Sequence, residues 1–189
     1  ADTTCEGSGR LAVHSKGSSQ ALQVIALPGV FLSRRADGQP LVNSAQLYAY
    51  QGVINVGDFN FDGAEDFAVQ NGNRGSYGGP SYDVFLYEPR ARGFRYSRAL
   101  SALIESTLGF FGVDEQARRL ETFAKSGCCW HQQERYKVEN NRPIAVWRFT
   151  EDATVGDNVV LLTTEELIDG KWQVTSSKTL PMEEYYGTP

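Results

Sequence analysis

Tyr82-Asp-Val-Phe-Leu-Tyr87 alternates with a period of two: Tyr82, Val84 and Leu86 share one face, and Asp83, Phe85 and Tyr87 share the other. That spacing describes a strand with a side chain to place on each face. Runs of the same kind lie at residues 11–15, 21–27, 47–50, 66–70, 136–139, 144–149, 159–164 and 172–176, rich in Val, Ile, Thr and aromatic residues. Between them sit Arg92-Gly93, Asn140-Asn141-Arg142-Pro143 and Asp169-Gly170. Gly and Asn tolerate the left-handed backbone that tight turns demand, so Asp169-Gly170 between two apolar runs marks a hairpin. One short helix is expected over 97–106, where Leu100, Leu103 and Ile104 form a single stripe. Strand-turn-strand units recur around 92–93, 113–117, 140–141 and 169–170. Their spacing of about 20–30 residues suggests repeated antiparallel units, as in a small propeller or a barrel. The reading is an all-β, antiparallel fold in a single domain spanning residues 1–189.

With 189 residues, 41% hydrophobic and 22% charged, the chain has enough apolar material for a core. A net charge of −5 disfavours nucleic acid and anionic membrane surfaces and suits a basic partner. No apolar run approaches the roughly 20 residues of a bilayer-spanning helix. A coiled coil and a collagen-like fibre are excluded on composition. The chain opens on Ala1 with no initiator Met and no leader pattern: either a leader has been removed, which the small Ala1 would suit as the residue after a signal-peptidase cut, or the start has been trimmed.

Three cysteines occur, Cys5, Cys128 and Cys129, in no zinc-binding pattern. One reading is a nucleophilic thiol beside His131; the plainer one is a disulfide in an oxidising compartment. A Cys128–Cys129 bridge would close a ring within one dipeptide. A bridge from Cys5 to either partner would close a loop of more than a hundred residues and contribute up to about 4–5 kcal/mol. The Cys5 bridge is the expectation.

The most specific motif is Asp58-Phe-Asn-Phe-Asp-Gly-Ala-Glu-Asp66. Oxygen side chains fall at positions 1, 3, 5 and 9 (Asp58, Asn60, Asp62, Asp66), Gly63 is at the sharp turn, and Ala64 offers its carbonyl. A hard cation takes six to eight oxygens, so this alternation predicts a Ca2+ site with Phe59 and Phe61 turned to the core. Position 12 is Val69 rather than a bidentate Glu, and strands flank the loop, so it is not an EF-hand. Its ligands close on themselves, which suits a structural ion.

Val56-Gly-Asp-Phe-Asn-Phe-Asp-Gly63, Gln70-Asn-Gly-Asn-Arg-Gly-Ser-Tyr-Gly-Gly-Pro-Ser-Tyr-Asp-Val-Phe-Leu-Tyr87, Phe94-Arg-Tyr-Ser97 and Ser126-Gly-Cys-Cys-Trp-His131 with Tyr136 resemble a family of bacterial periplasmic proteins. These are immunity lipoproteins that accompany peptidoglycan-hydrolysing effectors of the antibacterial type IV secretion system of Xanthomonas-like bacteria. The resemblance implies a β-propeller-like fold, one calcium ion held by Asp58, Asn60, Asp62 and Asp66, and a periplasmic location. It also implies inhibition of a lysozyme-like hydrolase, and a lipid anchor to the outer membrane that would lie upstream of Ala1.

An inhibitor of a wall hydrolase must fill a cleft lined with carboxylates and aromatics. The Gly-rich loop at 71–82 has suitable groups. Arg74 can pair with a catalytic carboxylate, Ser76 and Ser81 can donate hydrogen bonds, and Tyr77 and Tyr82 can stack where sugars stack. A neighbouring cation site would hold this loop in place and lower its ordering cost. An enzyme is not expected: with two histidines and no nucleophile elbow, phosphate loop or His-Glu-x-x-His, catalytic chemistry has little to draw on. The alternative is a calcium-stabilised carbohydrate-binding or adhesion module.

Overall fold

The computed structural model describes residues 4–33, 37–40, 42–44 and 52–187. The strand expected at 47–50 lies outside them. The described residues form an antiparallel, mainly β architecture of three sheets. A two-stranded ribbon joins β1 (Thr4–His14) to β2 (Ala21–Ser33). A five-stranded sheet runs β3 (Val42–Ser44), β4 (Ile54–Gly57), β5 (Asp66–Gly72), β6 (Ser81–Glu88) and β7 (Gly93–Tyr96), with one parallel pair, β3 with β4. A six-stranded meander carries β8 (Gly112–Asp114), β9 (Arg119–Ser126), β10 (Trp130–Glu139), β11 (Arg142–Asp152), β12 (Val159–Ile168) and β13 (Lys171–Pro181) in sequence order. These sheets are open: the described residues close neither a barrel nor a propeller.

The five-stranded sheet is the central layer because its strands have apolar residues on both faces. All seven residues of β5 are buried. Phe67, Val69 and Phe85 face the ribbon and pack with Leu27. Ala68, Tyr82, Val84 and Leu86 face α1 (Arg98–Ser106) and join Leu100, Leu103, Ile104, Phe110, Phe111, Leu120 and Tyr136 in the larger core. The expected alternation of β6 is therefore met on both sides. Phe59 and Phe61 enter the same core from the loop before β5, and Phe59 meets Phe110 and Phe111 edge-on at 5.4 Å.

Local chemistry sets the boundaries. Ser97 caps α1, its hydroxyl accepting from Leu100 N. Each expected hairpin turn has left-handed backbone: Arg92 (φ 50°), Arg118 (φ 53°), Asn140 and Asn141 (φ 51° and 61°), and Asp169 and Gly170 (φ 51° and 73°). Two short helical pieces join α1, a 3-10 turn at Ser76–Gly78 and α2 at Met182–Tyr186. The first half of β1 is a strand that its Gly- and Ser-rich sequence conceals. It holds by pairing with β2, and the register shift between Gly7 and Gly9 faces Pro28, which has no N–H to offer a ladder.

The ribbon also protects the free edge of β7. The Gln23 side chain donates to Phe94 O (2.8 Å) and accepts from Phe94 N (2.7 Å), as a neighbouring strand would. We expect Gln23→Ala to lower the unfolding free energy by about 1–2 kcal/mol in urea titration, since two partly buried backbone groups lose partners. The exposed Gln20→Ala control should stay within about 0.5 kcal/mol.

Candidate functional site

β5 carries a candidate loop at each end. Before it, Asp58–Asp66 winds through side-chain-to-backbone bonds. Asp58 accepts from Asp62 N (3.0 Å) and Gly63 N (2.8 Å), Asn60 Oδ1 from Asp62 N (3.2 Å), and Asp62 from Ala64 N (2.9 Å). Gly63 takes φ 91°, a conformation a side chain would strain. Asp66 is fully buried; one carboxylate oxygen accepts from Phe59 N and the other from Tyr87 N, both at 2.8 Å. These bonds tie the loop to β6. Burial pushes the Asp66 carboxyl from 3.8 up to about 6, against the two backbone donors that favour its charged form. Its folded value exceeds its unfolded one, so its contribution to stability is fullest below about pH 4 and is lost as pH rises towards 6.

The donor set is all oxygen, which fits a hard divalent cation. None of the described ion pairs uses Asp58 or Asp62. Asp58, Asn60, Asp62 and the Ala64 carbonyl are the groups that would hold it at the loop's surface, with Asp66 beneath. Among the described residues, however, no three His, Cys, Asp or Glu side chains are already gathered into a cage. Two neighbours brace the loop: Asn60 Nδ2 donates to Asn141 Oδ1 (3.0 Å), and Arg118 donates to the Phe61 carbonyl.

At the other end of β5 the Gly-rich loop closes between Gly75 N and Gly79 O (2.9 Å); a Cβ on Gly75 would lie 2.9 Å from that oxygen. Its root is a polar network. Ser81 Oγ donates to Asn71 Oδ1 (2.7 Å) and accepts from Arg74 N (3.2 Å), while Asn71 donates to Asp83 (2.7 Å). Burial raises the Asp83 carboxyl above the usual range. Tyr77 stands out from the loop, 64% exposed, with left-handed backbone (φ 58°, ψ 27°). An aromatic residue there stores about 1–2 kcal/mol of strain. Its hydroxyl accepts from Gly127 N (2.6 Å), and Lys125 Nζ sits 4.9 Å from its ring. Arg74 pairs with Glu105 at 3.3 Å, and Ser76 donates to Ser106 O at 3.4 Å. The structure thus joins two segments distant in sequence, the Gly-rich loop and the β9–β10 turn.

Three expectations are corrected. Ser81 and Tyr82 are fully buried and cannot meet a partner: Tyr82 lies in the core, donates to Gly52 O (2.9 Å), and has its phenol pushed up to about 12 by burial. The bridge is Cys128–Cys129, while Cys5 is free and exposed. Cys5 sits in β1 of the ribbon, opposite Leu32, whereas the β9–β10 turn belongs to the meander. With both thiols bridged, neither is free to act as a nucleophile beside His131, whose Nδ1 lies 3.3 Å from Glu151. Last, the oxygen-rich loop does not adjoin the Gly-rich loop: seven residues of β5, roughly 20 Å of strand, separate them. The sequence reading missed Lys125 and Glu105 at the Tyr77 end, because no motif marks them.

No protein-family model matches the chain, and no curated protein matches it. Among solved structures it is similar to one described as that of a Xanthomonas type IV secretion system related protein. The two share 28% identity with a TM-score of 0.67, over 82% of this chain and 73% of the other. The likeness links the chain to a protein related to that secretion system. Among the described residues, no helix is long and apolar enough to cross a membrane.

Asp66→Ala leaves two buried N–H groups unpaired and should cost at least about 2 kcal/mol near pH 4, with a smaller loss as pH rises past 6, where the buried charge already opposes folding. Glu65→Ala, one residue away and exposed, should stay within about 0.5 kcal/mol. Chemical denaturation measures both; equal effects would separate stability from the Asp66 bonds.

Proposed function

We propose that this chain is a periplasmic immunity protein, not an enzyme, that binds and inhibits a lysozyme-like peptidoglycan hydrolase effector of a type IV secretion system. The observation that carries the reading is the 28% identical structural neighbour related to the Xanthomonas system. The Tyr77 end supplies the means. Tyr77 is an exposed aromatic in left-handed backbone, braced by Gly127 and Lys125, and backbone strain gathers where proteins bind. Its ring offers a rigid stacking surface to a sugar-binding cleft, at little ordering cost. Arg74 is ready to exchange partners. Its pair with Glu105 is exposed on both sides (58% and 42%), so it is worth about 0–1 kcal/mol and yields to a carboxylate in a drier cleft. The net charge of −5 speeds encounter with a basic hydrolase. Calcium at Asp58, Asn60, Asp62, Ala64 and Asp66 is a structural ion in this reading, and a lipid anchor upstream of Ala1 would hold the protein at the outer membrane.

Lysis of purified cell wall by a lysozyme-like hydrolase tests the inhibitor reading. Inhibition should saturate near one equivalent. Tyr77→Ala should weaken it at least about tenfold while changing stability by no more than about 1 kcal/mol, because lost contacts offset relieved strain. Wall degradation by the chain alone, or retention on glycan without inhibition, would contradict it; the latter would favour a carbohydrate-binding module.

The ion has its own readout. An affinity of about 10⁻⁴–10⁻³ M implies that 5 mM calcium adds roughly 1–2 kcal/mol, a Tm rise of about 2–8 °C for a domain of this size. Asp58→Ala and Asp62→Ala should abolish the rise. An unchanged Tm for the wild type between calcium and chelator would refute the ion.

A further inference from the structure

At the opposite end of β5 from Tyr77, a cleft of 680 Å³ opens between β7, the start of α1 and the β10–β11 turn. Three arginines from three elements line it, Arg95, Arg98 and Arg142, against one carboxylate, Glu88. Acids outnumber bases 23 to 18 along the chain, so this is a local inversion of charge. Outside the cleft, Arg74, Arg135 and Arg148 pair with Glu105, Glu121 and Glu165. In the cleft Arg95 meets Glu88 at 3.3 Å through an exposed pair, and no ion pair is described for Arg98 or Arg142. Leu86 lies at the floor and Tyr96, 48% exposed, on the wall.

We propose that this cleft is a docking site for an acidic peptide segment of a partner protein, held by Arg95, Arg98 and Arg142. Guanidinium forks match carboxylates in bidentate geometry, and three of them on separate elements select a segment with more than one carboxylate. A single inorganic anion would leave most of the 680 Å³ empty. Nucleic acid requires a basic track along its backbone, which three cations in one bounded cleft do not provide. Leu86 and Tyr96 give the apolar contact that a peptide stem uses. The site is separate from the Tyr77 end, so its failure leaves the inhibitor reading untouched.

The test is the anisotropy of fluorescein-labelled hexaglutamate titrated with the full chain at low salt. The peptide should bind despite the chain's negative charge. Arg98→Gln/Arg142→Gln should weaken binding at least about tenfold, whereas Arg10→Gln/Arg90→Gln, with the same change in net charge, should stay within about twofold. Arg10, Arg90, Arg98 and Arg142 are all exposed, so both variants should fold; circular dichroism checks this. Equal weakening by the two pairs would overturn the proposal. So would displacement by inorganic phosphate or oligothymidylate of matched charge as readily as by unlabelled peptide. Self-association of the chain that the peptide disperses would assign the cleft to a second copy and overturn it too.

Discussion

The burial of β5 on both faces is the constraint on which the rest depends. A strand covered on one side needs apolar residues at every second position; Asp66–Gly72 is buried throughout, so both its faces must find partners. The ribbon supplies one layer through Leu27, and α1 supplies the other through Leu100, Leu103 and Ile104. Once those layers are in place, the two ends of β5 are where its flanking loops emerge. The oxygen-rich loop and the Gly-rich loop are therefore held apart by one rigid strand.

Asp66 shows how closely the first of these loops is bound to the fold. It ends the oxygen-rich motif and begins β5, and its carboxylate accepts from Phe59 on one side and Tyr87 on the other. It thus serves as a structural acceptor whether or not an ion sits above it. The desolvation that raises its pKa is the cost of that position. Asn60 and Asn141 carry the connection on to the β10–β11 turn, whose Asn140, Asn141 and Arg142 wall the arginine cleft. A change in the loop's geometry therefore has a direct route to that cleft, but none as short to Tyr77.

Much of the fold was legible where one residue decides local geometry. Asn140-Asn141 and Asp169-Gly170 turn the hairpins, the stripe of Leu100, Leu103 and Ile104 marks the helix, and the period of two in β6 sorts its side chains correctly. What was hidden depended on pairing across the chain. Thr4–Arg10 has no strand signature and is ordered by β2. Ser81 and Tyr82 close the Gly-rich loop in sequence, although the alternation from Tyr82 onward already placed that ring on a strand face, and core partners absorb both. The cysteine pairing joined neighbours in one turn rather than following loop-closure entropy. The separation of the two loops could have been foreseen, since a seven-residue strand between them already implies roughly 20 Å. Arg95, Arg98 and Arg142 are scattered in sequence and meet only in the folded chain.

The central claim is that the end bearing Tyr77, Arg74 and the Cys128–Cys129 turn is the surface that engages a hydrolase. Amide hydrogen exchange of the chain, alone and saturated with a lysozyme-like hydrolase, examines it most directly. The account predicts slowed exchange at residues 73–79 and 125–129, with the oxygen-rich loop at 58–66 unchanged. Protection absent from 73–79 and concentrated instead at 88–98 and 140–142, or a mixture with no protection anywhere, would contradict it.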